Sequence, residues 1–156
     1  MNHKKKMPIS PQPANPVPLA SAARALVDVK GCGENGTILL VEDEVALRGL
    51  TKVLLQRHGY RVLEAASGVE ALSVWEKQGS EIDLLLTDMI MPDGLTGRDL
   101  ATKLRAHRTS LKVIYVSGHS MAAEGTTIRL REASTFLQKP YHPQSLVKAV
   151  RESFDR

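Results

Sequence analysis

Four short runs of the 156-residue chain carry its chemically capable side chains: Glu42, Asp43 and Glu44 in "LLVEDE", Asp88 in "DLLLTDMIMPDG", Ser117 and Gly118 in "YVSGHS", and Lys139 in "FLQKPY". Each polar residue follows an apolar stretch, which places it at the end of a buried strand. Taken singly, each has an ordinary explanation. Asp43 suits a helix N-cap and Glu44 a first helical turn, where negative charge complements the helix dipole. Asp88 could open a loop, Lys139 could be a surface charge, and Ser117 and Thr87 could be structural.

The combination is more informative than its members. Three carboxylates in one concavity repel one another, and Lys139 supplies a single compensating charge. A hard divalent cation with oxygen ligands relieves that repulsion, and Mg²⁺ suits a site that takes a few carboxylates and keeps several waters. Zinc is disfavoured, because His119 is the only His or Cys at these strand ends. A carboxylate beside Mg²⁺, with a hydroxyl and an ammonium nearby, is arranged for phosphoryl transfer onto itself. Asp88 would attack as nucleophile while metal and Lys139 neutralise the equatorial oxygens.

Such convergence requires a scaffold that delivers strand ends to one edge. From Thr37 onward, short apolar runs alternate with helical periodicity. Strands are expected at "TILLV", "RVLEA", "DLLLT", "KVIYVS" and "STFLQ". Between them fall helices with Leu47, Leu50, Val53 and Leu54 on one face, then Val69, Leu72 and Trp75, then residues 96–107 and residues 121–131. A last helix over 143–154 presents Leu146, Val147, Val150 and Phe154 inward. Five strand-then-helix units imply an α/β fold with a doubly wound parallel five-stranded sheet. Ligand sites in such sheets collect at the carboxyl ends of the strands.

The first 36 residues differ in kind. Five of the eight prolines lie between Pro8 and Pro18, and "GCGENG" breaks whatever precedes it. Residues 1–36 are expected to be a flexible, disordered Pro-rich linker, with a short helix conceivable over 19–30, and residues 37–156 the folded domain. Residues 1–36 hold five Lys or Arg against two acids, and the remainder sixteen against fifteen, so the folded part is nearly neutral. Direct nucleic-acid binding is therefore not expected. Cys32 is the only cysteine, which excludes an internal disulfide and a thiolate metal cluster and suits a cytoplasmic setting. No apolar run approaches the length needed to cross a bilayer, and "MPISPQPANPVP" stands where a signal peptide needs its apolar core.

With these residues in place, the chain from Thr37 to Arg156 resembles the receiver domain of two-component response regulators. "LLVEDE", "LLLTDMIMPDGLTG", "YVSGHS" and "FLQKPY" match that family's motifs in order and at its usual spacing. The resemblance implies a flavodoxin-like fold of strand order 2-1-3-4-5. It further implies that Asp88 accepts phosphate from a partner phosphohistidine. Glu42 and Asp43 occupy the acidic pair that holds Mg²⁺, and the backbone carbonyl of Ile90 falls at the main-chain ligand position. Ser117 resembles the switch hydroxyl, Lys139 the lysine that pairs with phosphoryl oxygens, and Phe136 the aromatic that moves inward on activation. A cis peptide between Lys139 and Pro140 is also implied. Glu42 stands where Asp is as familiar, so its longer side chain is expected to reach the metal through water. Ile90 is apolar where it flanks the path of an attacking water, and is expected to shield the acyl phosphate. Gly118 is small, as access for a donor histidine demands, or is a simple turn glycine.

None of His58, His107 and His142 is placed as a phosphodonor, so the donor is a separate histidine kinase or histidine phosphotransfer domain. Output is expected from a partner or a missing neighbour, no output domain being expected within this segment, and the segment is expected to be a monomer or weak dimer that inserts in no membrane. Two settings fit: a stand-alone receiver, or the C-terminal receiver of a hybrid sensor histidine kinase tethered to the membrane through its parent chain. "GTILLVEDE" and "FLQKPYHPQSL" favour the second. The domain is not expected to be a stand-alone enzyme, although it would support its own phosphorylation and dephosphorylation. A phosphate-independent receiver-like interaction module is the alternative. A phosphatase of the haloacid dehalogenase type would need an acid where Ile90 stands, and a flavodoxin would need a hydroxyl-rich loop where "EDEVALR" stands.

Overall fold

The computed structural model describes residues 35–118 and 134–156. The helix expected over 121–131, His119 and residues 1–34 lie outside the described residues. Five parallel strands form one sheet: β1 (Thr37–Val41), β2 (Arg61–Ala65), β3 (Leu84–Asp88), β4 (Lys112–Ser117) and β5 (Ser134–Gln138), in the order β2-β1-β3-β4-β5. The helices among them are α1 (Val45–Arg57), α2 (Gly68–Gln78), α3 (Gly97–His107) and α4 (Pro143–Phe154), with a 3₁₀ turn at Gly79–Glu81 before β3. Both the α/β class and the expected strand order are observed.

The continuous apolar runs of β1, β3 and β4 follow from burial on both faces, since side chains alternate across a strand. Leu39, Val41, Leu85, Val113 and Tyr115 point to one side, where Ala71 of α2 and Leu100, Ala101 and Leu104 of α3 cover them. Ile38, Leu40, Leu84, Leu86, Ile114 and Val116 point to the other, against Leu55 of α1 and Leu146, Ala149 and Val150 of α4. Each fully buried leucine contributes about 2 kcal/mol of transfer free energy. As expected, α4 turns Leu146, Val147 and Val150 inward, and Phe154 stacks on Tyr60 at 5.3 Å.

Two helical faces depart from the expected ones. In α1, Leu50 is 67% and Val53 46% exposed, while Thr51 and Leu55 are buried. Thr51 tolerates burial because its hydroxyl has the Tyr141 hydroxyl as a partner. Apolar residues ring more than half of α1, so periodicity alone did not select the inward stripe. In α2, Val69 sits in the first turn and is exposed, and Ala71 takes the core position with Leu72 and Trp75 packed beside it.

Helix starts are fastened by side chains. Ser67 accepts from the Glu70 amide to cap α2, and Thr96 with Asp99 forms a reciprocal capping box at α3, each contributing about 1 kcal/mol.

Candidate functional site

Beyond the regular strands, the backbone ladders continue for one residue and fix the segments that carry the site. The Glu42 amide donates to Ala65 at 3.1 Å, the Met89 amide to Val116 at 2.8 Å, and the Lys139 amide to Ser117 at 2.8 Å. Residues from β1, β3, β4 and β5 thus meet at one sheet edge, although as many as 97 positions separate them in sequence.

Lys139 is the hub. Its Nζ donates to Glu42 Oε2 and to Asp88 Oδ2, both at 2.8 Å, and the Lys139–Pro140 bond is cis as expected. Glu42 is 5% exposed, and its second oxygen accepts from the Glu44 amide at 3.2 Å. Asp88 Oδ1 accepts from the Ile90 amide at 3.3 Å. Ser117 is buried at the end of β4, and Phe136, level with Tyr115, packs partly buried against the α2–α3 side of the core. A cavity of about 440 Å³ opens beside the lysine, lined by Leu47, Gly118, Lys139, Pro140 and Tyr141.

Burial is the largest influence on Glu42 and on Lys139. It raises the Glu42 carboxyl above the usual range, because the one ammonium that opposes it is shared with Asp88. Burial pulls Lys139 down, but hydrogen bonds to Asp88 and Glu42 outweigh it and hold the ammonium above its ordinary value. Lys139 is therefore a fixed positive charge at neutral pH.

The local charge is still unbalanced. Oxygen atoms of Glu42, Asp43 and Asp88 lie within 4.8 Å of one another, against a single ammonium. Asp43 is exposed, and its carboxylate has no protein partner among the described residues. Nor does it cap α1: the N-cap is Glu44, without a side-chain cap bond. An all-oxygen, doubly anionic remainder fits a small hard cation such as Mg²⁺ and suits neither zinc nor a soft metal.

Two contributors escaped the sequence reading. Arg48 Nη1 donates to the carbonyls of Glu42 at 2.7 Å and Asp43 at 3.5 Å, pinning the acidic turn from the first turn of α1. Its only signal was a basic residue shortly after an acidic run. Gly97 lies against the backbone of Asp88, where a Cβ would stand 2.1 Å from the Asp88 carbonyl oxygen. The clue was a glycine directly after the capping Thr96. Thr87 is structural, its buried hydroxyl donating to the Asp88 carbonyl at 3.0 Å.

The sequence profile described as the response regulator receiver domain matches residues 38–151. The chain is 35% identical over 143 residues to the sensor kinase CckA of Brucella abortus (strain 2308), covering 92% of this chain and 15% of that one. It is 30% identical to the transcriptional regulatory protein YvrH of Bacillus subtilis (strain 168), covering 79% of this chain and 51% of the other. The chain thus spans a small part of the kinase and about half of the regulator. Among solved structures, the receiver domain from the hybrid histidine kinase CckA aligns with TM-score 0.66 and 39% identity, over 76% of this chain and 99% of that one. A response regulator receiver domain protein from Clostridium thermocellum aligns with TM-score 0.69 and 30% identity, over 78% and 95%.

Proposed function

Because the chain belongs to the receiver-domain family of two-component response regulators, we propose that it accepts a phosphoryl group from a phosphohistidine onto Asp88. The observation that carries this reading is the pair of 2.8 Å bonds from Lys139 to Asp88 and Glu42 beside a carboxylate cluster with excess negative charge. An oxygen of Asp88 attacks phosphorus, the P–N bond to the donor imidazole breaks, and an acyl phosphate forms. Lys139 moves its contact from the carboxylate to a phosphoryl oxygen, and Ser117 supplies a hydroxyl to another. Water later attacks phosphorus, the P–O bond breaks, and Asp88 and inorganic phosphate are released. Glu42, Asp43, Asp88 and the Ile90 carbonyl would hold Mg²⁺, which supplies charge neutralisation for the transferring group.

Phosphorylation shifts the population of a two-state domain, drawing Ser117 and Phe136 inward, or the domain relays its phosphate to a histidine phosphotransfer partner. Residues 37–156 form the receiver, and residues 1–36 join it to a hybrid-kinase parent. The similarity to CckA supports that parent. It spans 143 residues, the receiver segment holds 120, and so at least 23 aligned positions lie within residues 1–36.

The test is incubation with phosphohistidine donors, and separately with acetyl phosphate and Mg²⁺, comparing the wild type with Asp88→Asn. An acid-stable but base-labile label on the wild type alone is expected, and it should disappear with EDTA. Equal labelling of Asp88→Asn would overturn the assignment, and no labelling of the wild type by any donor would favour a phosphate-independent interaction module.

A further inference from the structure

The loop between Asp88 and α3 carries both groups of Ile90 that bear on the site: the amide, which donates to Asp88 Oδ1, and the carbonyl that the proposed metal site would use. Ile90 itself is 62% exposed, so its own side chain does little to fix it. What restrains the far half of the loop is a contact with another element. Asp93 Oδ2 accepts from the Val69 amide in the first turn of α2 at 3.2 Å. Slight burial opposes ionisation of Asp93, but the amides of Val69, Leu95, Asp93 and Gly68 hold its carboxyl below the usual range. Two residues on, Leu95 lies over Gly68, where a Cβ would come within 2.6 Å of its Cδ2. The turn at Gly94, with φ of +78°, is what lets Asp93 and Leu95 both face α2.

The start of α2 does not need Asp93 for its other amides. Ser67 already accepts from the Glu70 amide at 3.1 Å, and Glu70 reaches back to the Ala66 amide at 2.7 Å. The Asp93 contact is thus a tie between segments, added to a helix already capped from within.

We propose that Asp93 is a positioning residue that straps the acceptor loop to the N-terminus of α2 and thereby holds the Ile90 backbone where metal and phosphate are bound. This rests on the metal-assisted phosphoacceptor reading above. Groups that orient a metal site from outside its ligands typically change affinity by about 10–100-fold when removed. Asp93 acts at one remove, through the loop, so the lower end applies.

The test compares Asp93→Ala, Asp93→Asn and Ser67→Ala with the wild type. Calorimetric titration with Mg²⁺ in the absence of phosphodonor is one readout, and the decay of the acetyl-phosphate label is the other. Asp93→Ala is expected to weaken Mg²⁺ binding about tenfold and to shorten the label's lifetime. Asp93→Asn, which keeps an acceptor oxygen, should restore most of both. Ser67→Ala loosens α2 from within and lowers the melting temperature, yet should leave both site readouts unchanged. Mg²⁺ binding by Asp93→Ala equal to that of the wild type overturns the strap, as does an equal effect of Ser67→Ala. No Mg²⁺ binding by the wild type overturns the metal reading, and the strap with it.

Discussion

Replacing Gly97 by alanine sets helix propensity against the backbone of Asp88. Gly97 opens α3, and its amide donates to the Met89 carbonyl at 3.0 Å. On propensity alone, alanine would gain up to about 1 kcal/mol. The new Cβ, however, would lie 2.1 Å from the Asp88 carbonyl oxygen and 3.0 Å from its carbon, against 3.4 Å for ordinary contact. The shortfall, 3.4 less 2.1, is 1.3 Å, and the obstructing atoms are backbone, which no rotamer change removes. Overpacking of this kind costs about 1–3 kcal/mol, and the upper end applies where backbone must move. Net destabilisation of about 2 kcal/mol is expected, readable as a lower urea midpoint with unchanged slope. Because the displaced residue is the proposed acceptor, a shift of about 1 Å should also slow phosphorylation by about a hundredfold. Gly49→Ala is the internal control: it lies in α1 with nothing within 4 Å of its would-be Cβ, so it should stabilise by up to about 1 kcal/mol. A Gly97→Ala protein as stable as Gly49→Ala, labelled at the wild-type rate, would refute this reasoning.

Removing the hub by Lys139→Ala leaves the buried Glu42 and its neighbour Asp88 without their ammonium. With Lys139 itself 22% exposed, a loss of about 2 kcal/mol is expected, below the range for a fully buried pair. Mg²⁺ should then restore more stability to the variant than to the wild type in thermal melts, and equal restoration would contradict the shared-cation picture. Ile90→Asn should shorten the label's lifetime by about tenfold, a barrier change of about 1.4 kcal/mol, and an unchanged decay rate would remove Ile90 as a shield. The hydrogen bonds of the α3 capping box hold the exposed Asp99 below its ordinary value of 3.8. A lowered carboxyl contributes stability that is present above the unfolded value and lost as pH falls through the folded one. The melting-temperature gap between wild type and Asp99→Ala should therefore be open at neutral pH and narrow below pH 3.8.

Much of this protein was legible in its sequence because the signals were local. Apolar runs of five or six residues, alternating with helical periodicity, are enough to specify parallel strands covered on both faces. The order of the acidic, hydroxyl and basic residues at the ends of those runs pointed to the family and to the chemistry proposed for it. Legibility stopped where a residue's role depends on what another segment places beside it. Nothing local distinguishes Thr51 facing inward from Leu50 facing outward in α1, since the choice rests on the Tyr141 hydroxyl arriving from the end of β5. Nothing local says that Asp43 leaves its carboxylate without a partner among the described residues while Glu42 gives both oxygens to protein donors. Arg48, Gly97 and Asp93 are ordinary until the sheet brings backbone carbonyls and amides within reach of them. The sequence by itself determined which elements form and which functional groups are supplied. Tertiary structure alone decided their pairing, because hydrogen bonds and steric contacts act over about 3 Å, and which atoms come within that distance is fixed only when the strands take their order in the sheet.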